Sequence, residues 1–239
     1  MTPSLKKRFW KDAGIRKTVD GFSILLDARS LKTPAKADFV VPTETLAEAI
    51  AQEWRDQSEK VNPATMPMTR RANAAIDKVT VQRREVADLL ADYGGSDLLC
   101  YRAEQPIELI TRQAEAWDPL LVWAAAEFGA TLRATNGVMP IRQDADSLSR
   151  LREAVHQLPV YLLTGFHDLV SLSGSLIIGF AAIRGYADHE QIWNLSRIDE
   201  VWQEELWGAD DEATKAAALK KQDFFDALRF FKLAGNAPD

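Results

Sequence analysis

Only one of the 239 residues is a cysteine, Cys100, and only three are histidines. A single thiol excludes any intramolecular disulfide and any zinc cage built on cysteines, and it fits a reducing compartment. Cys100 stands among Leu98, Leu99 and Tyr101, a setting that predicts inert packing and not a nucleophile. The histidines, His156, His167 and His189, are dispersed, and His189-Glu190 lacks the second imidazole four residues on that a helical zinc site needs. Long apolar runs are missing too. The nearest, residues 169–183, is interrupted by Ser171, Ser173 and Ser175 and falls short of the roughly 18 to 20 residues that span a bilayer, so a buried helix is predicted there. There is no Walker-type phosphate loop, no Gly-x-Gly-x-x-Gly turn and no Gly-x-Ser-x-Gly elbow. Gly174 and Gly179 have the phosphate-loop spacing without its lysine; inside the apolar run they predict close helix packing. Asp144 and Asp146 lack the glycine and distal glutamate of a calcium loop and are predicted to cap a helix near Ser147.

What is present supports a packed protein. The apolar fraction is 46% and the charged fraction 27%, ordinary for a globular chain of a size that buries a core without staples. The net charge of -6 disfavours general nucleic-acid binding, but it is unevenly spread. Residues 1–36 hold nine Lys and Arg against three Asp, whereas residues 188–212 hold nine acids against Arg197 alone. Two faces of opposite sign can orient a charged partner, or be ordinary solvated surface. The first ten residues have neither an apolar signal core nor an Arg/Ser-rich leader; the expected address is the bacterial cytoplasm, or the mitochondrial matrix after leader removal.

The fold class predicted is α+β: a small antiparallel β-rich N-terminal domain with one packed helix over residues 1–66, then a larger helical domain over 67–239. Asp20-Gly21 supplies turn chemistry between strands at 16–19 and 22–26, and residues 39–41 form a further strand ended by Pro42. Thr43 is the predicted N-cap of a helix whose stripe Leu46, Ala49, Ile50, Glu53 and Trp54 lies on the sheet. Asn62-Pro63 and Met66-Pro67 mark the boundary. Helices follow at 70–77, 81–93 with Gly94-Gly95 as a left-handed cap, 107–128 with Gly129 as its stop and Pro119 as a kink or break, 147–157, 159–166, 169–183, 189–206 and 212–233, the last ending at Gly235-Asn236. A short β excursion is expected around Asn136-Gly137.

Two constellations carry functional interest. In a helix over 189–206, Ile192, Leu195, Ile198, Trp202 and Leu206 form a stripe that enters a core, while Arg197, Glu200 and Glu204 share another face. That face is either solvated or a docking surface for which Trp193 and Trp207 supply aromatic anchors. The phenylalanines at 224, 225, 230 and 231 with Leu228 predict core on the last helix. Near the N-terminus, Phe9 and Trp10 among Lys6, Lys7, Arg8 and Lys11 make either an aromatic-basic nucleic-acid surface or, preferably, a hairpin with rings inward and bases outward.

Six strings stand in order along the chain: Leu31-Lys32-Thr33-Pro34; Glu53-Trp54 with Gln57; Met66-Pro67-Met68-Thr69-Arg70; Gly95-Ser96-Asp97-Leu98-Leu99-Cys100-Tyr101-Arg102; Trp117-Asp118-Pro119; and Leu195-Ser196-Arg197-Ile198-Asp199-Glu200 through Gln203 to Trp207-Gly208. Together, over about residues 8–231, they resemble the ATP synthase assembly-factor family, the chaperones of the alpha subunit of the F-type catalytic head. The resemblance implies no catalysis, no cofactor, no metal, and an unassembled alpha subunit kept from aggregating until the beta subunit replaces the chaperone. It places the partner-binding set at Glu200, with Arg197, Asp199, Gln203, Glu204 and Trp207 around it, and at Trp54. Trp202 stands where the family carries Tyr or Phe, and Glu204 and Glu205 make this string more acidic. A monomer without nucleic-acid partner or membrane insertion is expected; the alternatives are a small-molecule hydrolase and a nucleic-acid adaptor using the basic hairpin.

Overall fold

The computed structural model describes residues 7–235, so Lys6, the first residues and Asn236 lie outside the described part. Contacts group the chain into two compact units. Among the described residues, the first comprises residues 7–83, 159–165 and 229–235, and the second residues 84–158 and 166–228.

The first unit is built on the expected hairpin. Strands β1 (Ala13–Thr18) and β2 (Gly21–Leu26) pair antiparallel from Ala13 opposite Leu26 to Thr18 opposite Gly21. Short strands β3 (Arg29–Ser30) and β4 (Val40–Val41) both pair with β2. The turn itself is Val19-Asp20, and Gly21 already belongs to β2. Its glycine is required by β4, because a Cβ at Gly21 would sit 2.3 Å from the Val41 carbonyl oxygen.

Helix α1 (Glu44–Arg55) starts as predicted: the Thr43 hydroxyl accepts from the Leu46 amide, and Glu44 lies in the first turn. It turns Leu46, Ala47, Ile50 and Ala51 into a core with Ile24, Phe39, Val41 and Met68. Phe230 and Ala234 join the same core. A satellite cluster gathers Trp10, Ala13 and Leu26, with Trp54 and Val61 against it. Trp10 is buried, but Phe9 is exposed, so only one of the two rings turns inward. Helix α2 (Pro67–Ala74) continues into a wider π turn over Ala75–Val79.

The second unit is helical: α3 (Arg83–Asp92), α4 (Ile107–Phe128), α5 (Ala145–His156), α6 (Val160–Ser173), α7 (Leu176–Arg184), α8 (His189–Leu195), α9 (Ile198–Trp207) and α10 (Asp211–Ala234). The first turns of α6 and the last of α10 count with the first unit. Strands β5 (Tyr101–Arg102) and β6 (Thr135–Asn136) make a minimal parallel pair at the expected β excursion. Asp144 caps α5 by accepting from the Ser147 amide, and α4 runs unbroken through Pro119 to Gly129, which takes the left-handed conformation at φ 63°.

Four boundaries differ from expectation. The break expected between 166 and 169 is absent, because α6 runs from Val160 to Ser173. Gly94 and Gly95 close α3 through a 3-10 turn without positive φ. The apolar run divides at Gly174 (φ 70°), so Gly174 ends α6 while Gly179 lies within α7. The predicted 189–206 helix breaks after Leu195. Among the described residues, no helix is long and apolar enough to cross a membrane.

Candidate docking surface

The break between α8 and α9 sets the geometry of the sixth string. Ser196 donates its hydroxyl to the Trp193 carbonyl at 2.7 Å, and the buried Trp117 indole donates to the Leu195 carbonyl at 2.7 Å. A hydroxyl that competes for helix carbonyls terminates α8, and α9 restarts at Ile198. The single stripe predicted over both helices is thereby split. Ile192 and Trp193 are buried, whereas no residue of α9 is, and Leu206 is exposed and not in a core.

At the break, Arg197 keeps only 16% of its side chain exposed and lies 5.9 Å over the Trp193 ring. Its guanidinium donates to Glu200 at 2.7 Å and comes within 3.9 Å of Glu204. Arg197 thus fixes two carboxylates that remain 47% and 39% exposed. On a helix of 3.6 residues per turn, Glu200, Gln203, Glu204 and Trp207 share one face, and Trp207 is 77% exposed. The structure therefore brings together Arg197, Glu200, Glu204, Gln203 and Trp207. Asp199 turns elsewhere. It accepts from Gln113 of α4 at 2.6 Å, and the buried Gln113 in turn accepts from the Ala103 amide. Arg112, one residue earlier, pairs with Glu205 at 2.9 Å and stands 5.2 Å over the Trp202 ring. Periodicity on α4 alone carries no signal that Arg112 and Gln113 hold α9.

Trp54 belongs to the first unit and is half-buried, its ring 5.0 Å from Trp10 in an edge contact. Its carbonyl accepts the Trp10 indole N–H at 3.2 Å, and its own indole nitrogen is buried without a partner. In the basic segment, Arg8 donates to the carbonyls of Trp10, Lys11 and Arg55, so its charge serves chain closure more than a nucleic-acid face.

Other strings that carry the resemblance meet each other as structural joints. Glu53 accepts from the amides of Met68 and Thr69 and from the Thr69 hydroxyl, holding the start of α2. Burial raises its pKa, against these hydrogen bonds. Arg102 donates to the Leu99 carbonyl and to Asp118, both at 2.8 Å, with its guanidinium 5.2 Å over Trp117. Asp97, fully buried, accepts from Ser175, Leu99 and Ile177, and burial raises its pKa. Cys100 is buried, and desolvation pushes its thiol up to about 12. Among the described residues there is no group of three or more His, Cys, Asp or Glu able to hold a metal ion.

An α+β protein that presents a charged helix face ending in an exposed tryptophan carries residue types that are enriched where proteins bind one another. The family described as ATP12 chaperone protein matches residues 7–125. The chain is 50% identical to Atp12 of Paracoccus denitrificans, whose crystal structure superposes with a TM-score of 0.93 over 95% of this chain and 98% of that one. An aspartate-to-lysine variant of the Paracoccus protein superposes equally well, at 50% identity over 95% and 97% of the two chains. This chain is also 29% identical to mitochondrial protein atp12 of Schizosaccharomyces pombe, over 87% of its own length and 75% of the relative. The chain belongs to the ATP12 chaperone family. Members of this family are assembly chaperones of the ATP synthase, not enzymes.

Proposed function

We propose that the client is the unassembled alpha subunit of the F-type catalytic head, held until the beta subunit takes the chaperone's place. The observation that carries this reading is the outward face of α9, where Arg197 holds Glu200 and Glu204 beside the exposed Trp207. An alpha subunit awaiting beta exposes apolar, partly charged contact surface, which is an aggregation hazard. A mixed face of carboxylates and indole matches that polarity. Trp207 supplies contact area, while Glu200 and Glu204 set register and encounter rate against Lys or Arg of the client. Gln203 adds neutral hydrogen-bonding capacity on the same face. Asp199 acts indirectly, by fixing α9 to α4 through Gln113. Trp54 is assigned to client binding on the first unit on the strength of the family resemblance. Release needs no nucleotide or covalent step, because a competitor that binds the client over more area shifts the equilibrium by mass action. The proposed compartment is the bacterial cytoplasm, or the mitochondrial matrix in a eukaryote, where a lone buried thiol stays reduced.

Capture of purified alpha subunit by immobilised chaperone tests the assignment. Glu200→Lys places a cation beside Arg197 and is expected to weaken capture by about tenfold or more while the circular dichroism melt stays unchanged. A lowered melting temperature would make Glu200 a structural residue, and capture of beta in place of alpha would refute the client assignment.

A further inference from the structure

Residues 197–223 run through α9, the turn at Gly208 and the first half of α10 without burying one side chain. A stretch with so few buried contacts opens at small free-energy cost, and α9, 10 residues long, is shorter than the roughly 12 to 15 residues that keep helical form alone in water. Its place is set from α4. Arg112 grips both oxygens of Glu205, Nη1 to Oε1 at 3.0 Å and Nη2 to Oε2 at 2.9 Å, and lies over the Trp202 ring; a two-pronged pair fixes direction as well as distance. Beside it Gln113, 2% exposed, donates its amide to Asp199 while its oxygen accepts from the Ala103 amide. Were α9 to swing away, that buried N–H would lose its acceptor, which is costly. At the ends of α9 the backbone leaves helical geometry, at Arg197 (φ -118°, ψ 11°) and at Gly208 (φ 84°), and such positions are where a hinge turns.

Asp199, Trp202 and Glu205 recur at i, i+3 and i+6, whereas Glu200, Gln203, Glu204 and Trp207 occupy the opposite side of the helix. The grip from α4 and a client can therefore be engaged at once. On the reading that the alpha subunit is held on that opposite side, we infer that Arg112 and Gln113 are positioning residues for its capture. They latch α9 from behind, touch no client, and keep the face of Glu200 and Trp207 assembled before the client arrives. A latched helix spares the complex the cost of ordering it. An unlatched one binds only through the fraction of molecules in which α9 is formed and in place, so the apparent affinity falls by that fraction.

Exchanging the latch charges tests this on the full chain, by capture of purified alpha subunit and by hydrogen exchange over residues 198–207. Arg112→Glu and Glu205→Arg each set like charges face to face, yet they move the net charge in opposite directions. Both are expected to weaken capture about tenfold and to speed exchange in α9 by about the same factor, with the thermal melt unchanged. Asp199→Ala, which takes the acceptor from Gln113, is expected to act in the same direction. The double variant Arg112→Glu with Glu205→Arg restores opposite charges, and both readouts should return to within about threefold of the parent. Simple steering of a charged client would instead make one of the two charge variants better and the other worse. Opposite effects of those two on capture, parent-level capture or exchange in any of the three single variants, a lowered melt, or a double variant as poor as the singles would overturn the latch. Glu200→Lys separates the latch from the reading on which it rests: parent-like capture by that variant would remove the client face itself, whatever the exchange in α9 shows.

Discussion

At the scale of single residues, the capping groups are the most legible features. Thr43, Asp144 and Gly129 act within three or four positions of the backbone they serve, so spacing reveals them. Glu53 and Asp97 give no such signal, because their partners stand up to 16 and 80 residues away. Asp97 is the sharper case. Its carboxylate ties Leu99 to Ser175 and to the first turn of α7. Asp97→Asn exchanges one oxygen for an NH2 group with two hydrogens to place among the Leu99, Ser175 and Ile177 donors, and the expected loss is about 1–3 kcal/mol. The loss depends on pH. Burial raises the Asp97 pKa above the ordinary carboxylate value, so the folded chain keeps this proton to higher pH than the unfolded chain. The group's contribution is complete below the unfolded value and is lost as pH rises through the folded one. The stability gap between parent and variant, measured by urea unfolding from about pH 4 to about pH 8, should therefore narrow with rising pH. A widening gap would contradict the raised pKa. On the outward face of α9, proposed above for docking, Arg197, Glu200 and Glu204 are legible as a group because i, i+3 and i+7 spacing is a property of the helix itself. The family resemblance counts Asp199 in the partner-binding set, and in the structure Gln113 of α4 donates to it.

At the scale of elements, the hairpin, the cap of α1, the full length of α4 and the terminal helix follow from local patterns. The breaks do not. Residues 169–183 read as one apolar helix because every side chain there suits a core, and hydropathy cannot tell one buried helix from two meeting at a glycine. Gly174 and Gly179 are chemically the same and do different work: one turns the backbone, while the other lets α6 approach α7. A Cβ at Gly179 would lie 2.7 Å from Cγ2 of Val170 and 3.1 Å from Cε2 of Phe166. Replacing a helical glycine by alanine ordinarily gains about 1 kcal/mol. Val170 and Phe166 are fully buried and have no room to retreat, so overpacking of about 1–3 kcal/mol should win. Gly179→Ala is expected to lower the denaturation midpoint; a raised midpoint would mean that α6 moves aside freely.

At the scale of the whole molecule, the first unit is discontinuous in sequence. Its sheet and α1 are closed by Tyr161, whose hydroxyl donates to the Val40 carbonyl, and by residues 229–235. Phe230 and Ala234 share its core, and the Leu233 carbonyl accepts from both Thr43 and Thr45. No sequence pattern marks this, because an amphipathic helix shows that it has a buried side and not what it is buried against. A chain ended at Leu228 should lose at least the roughly 3–5 kcal/mol of a buried phenylalanine, a large part of the roughly 5–15 kcal/mol that holds a domain together. Limited trypsin digestion is expected to cut that chain early within residues 7–83, whereas the longer chain resists; equal resistance would show that the sheet closes without the terminal turns. The same threading has a consequence for synthesis. Emerging from the ribosome at roughly 5–20 residues per second, the N-terminal strands must wait, incompletely covered, for a helix translated some two hundred residues later, and during that delay the nascent protein is in the condition its family exists to relieve in others.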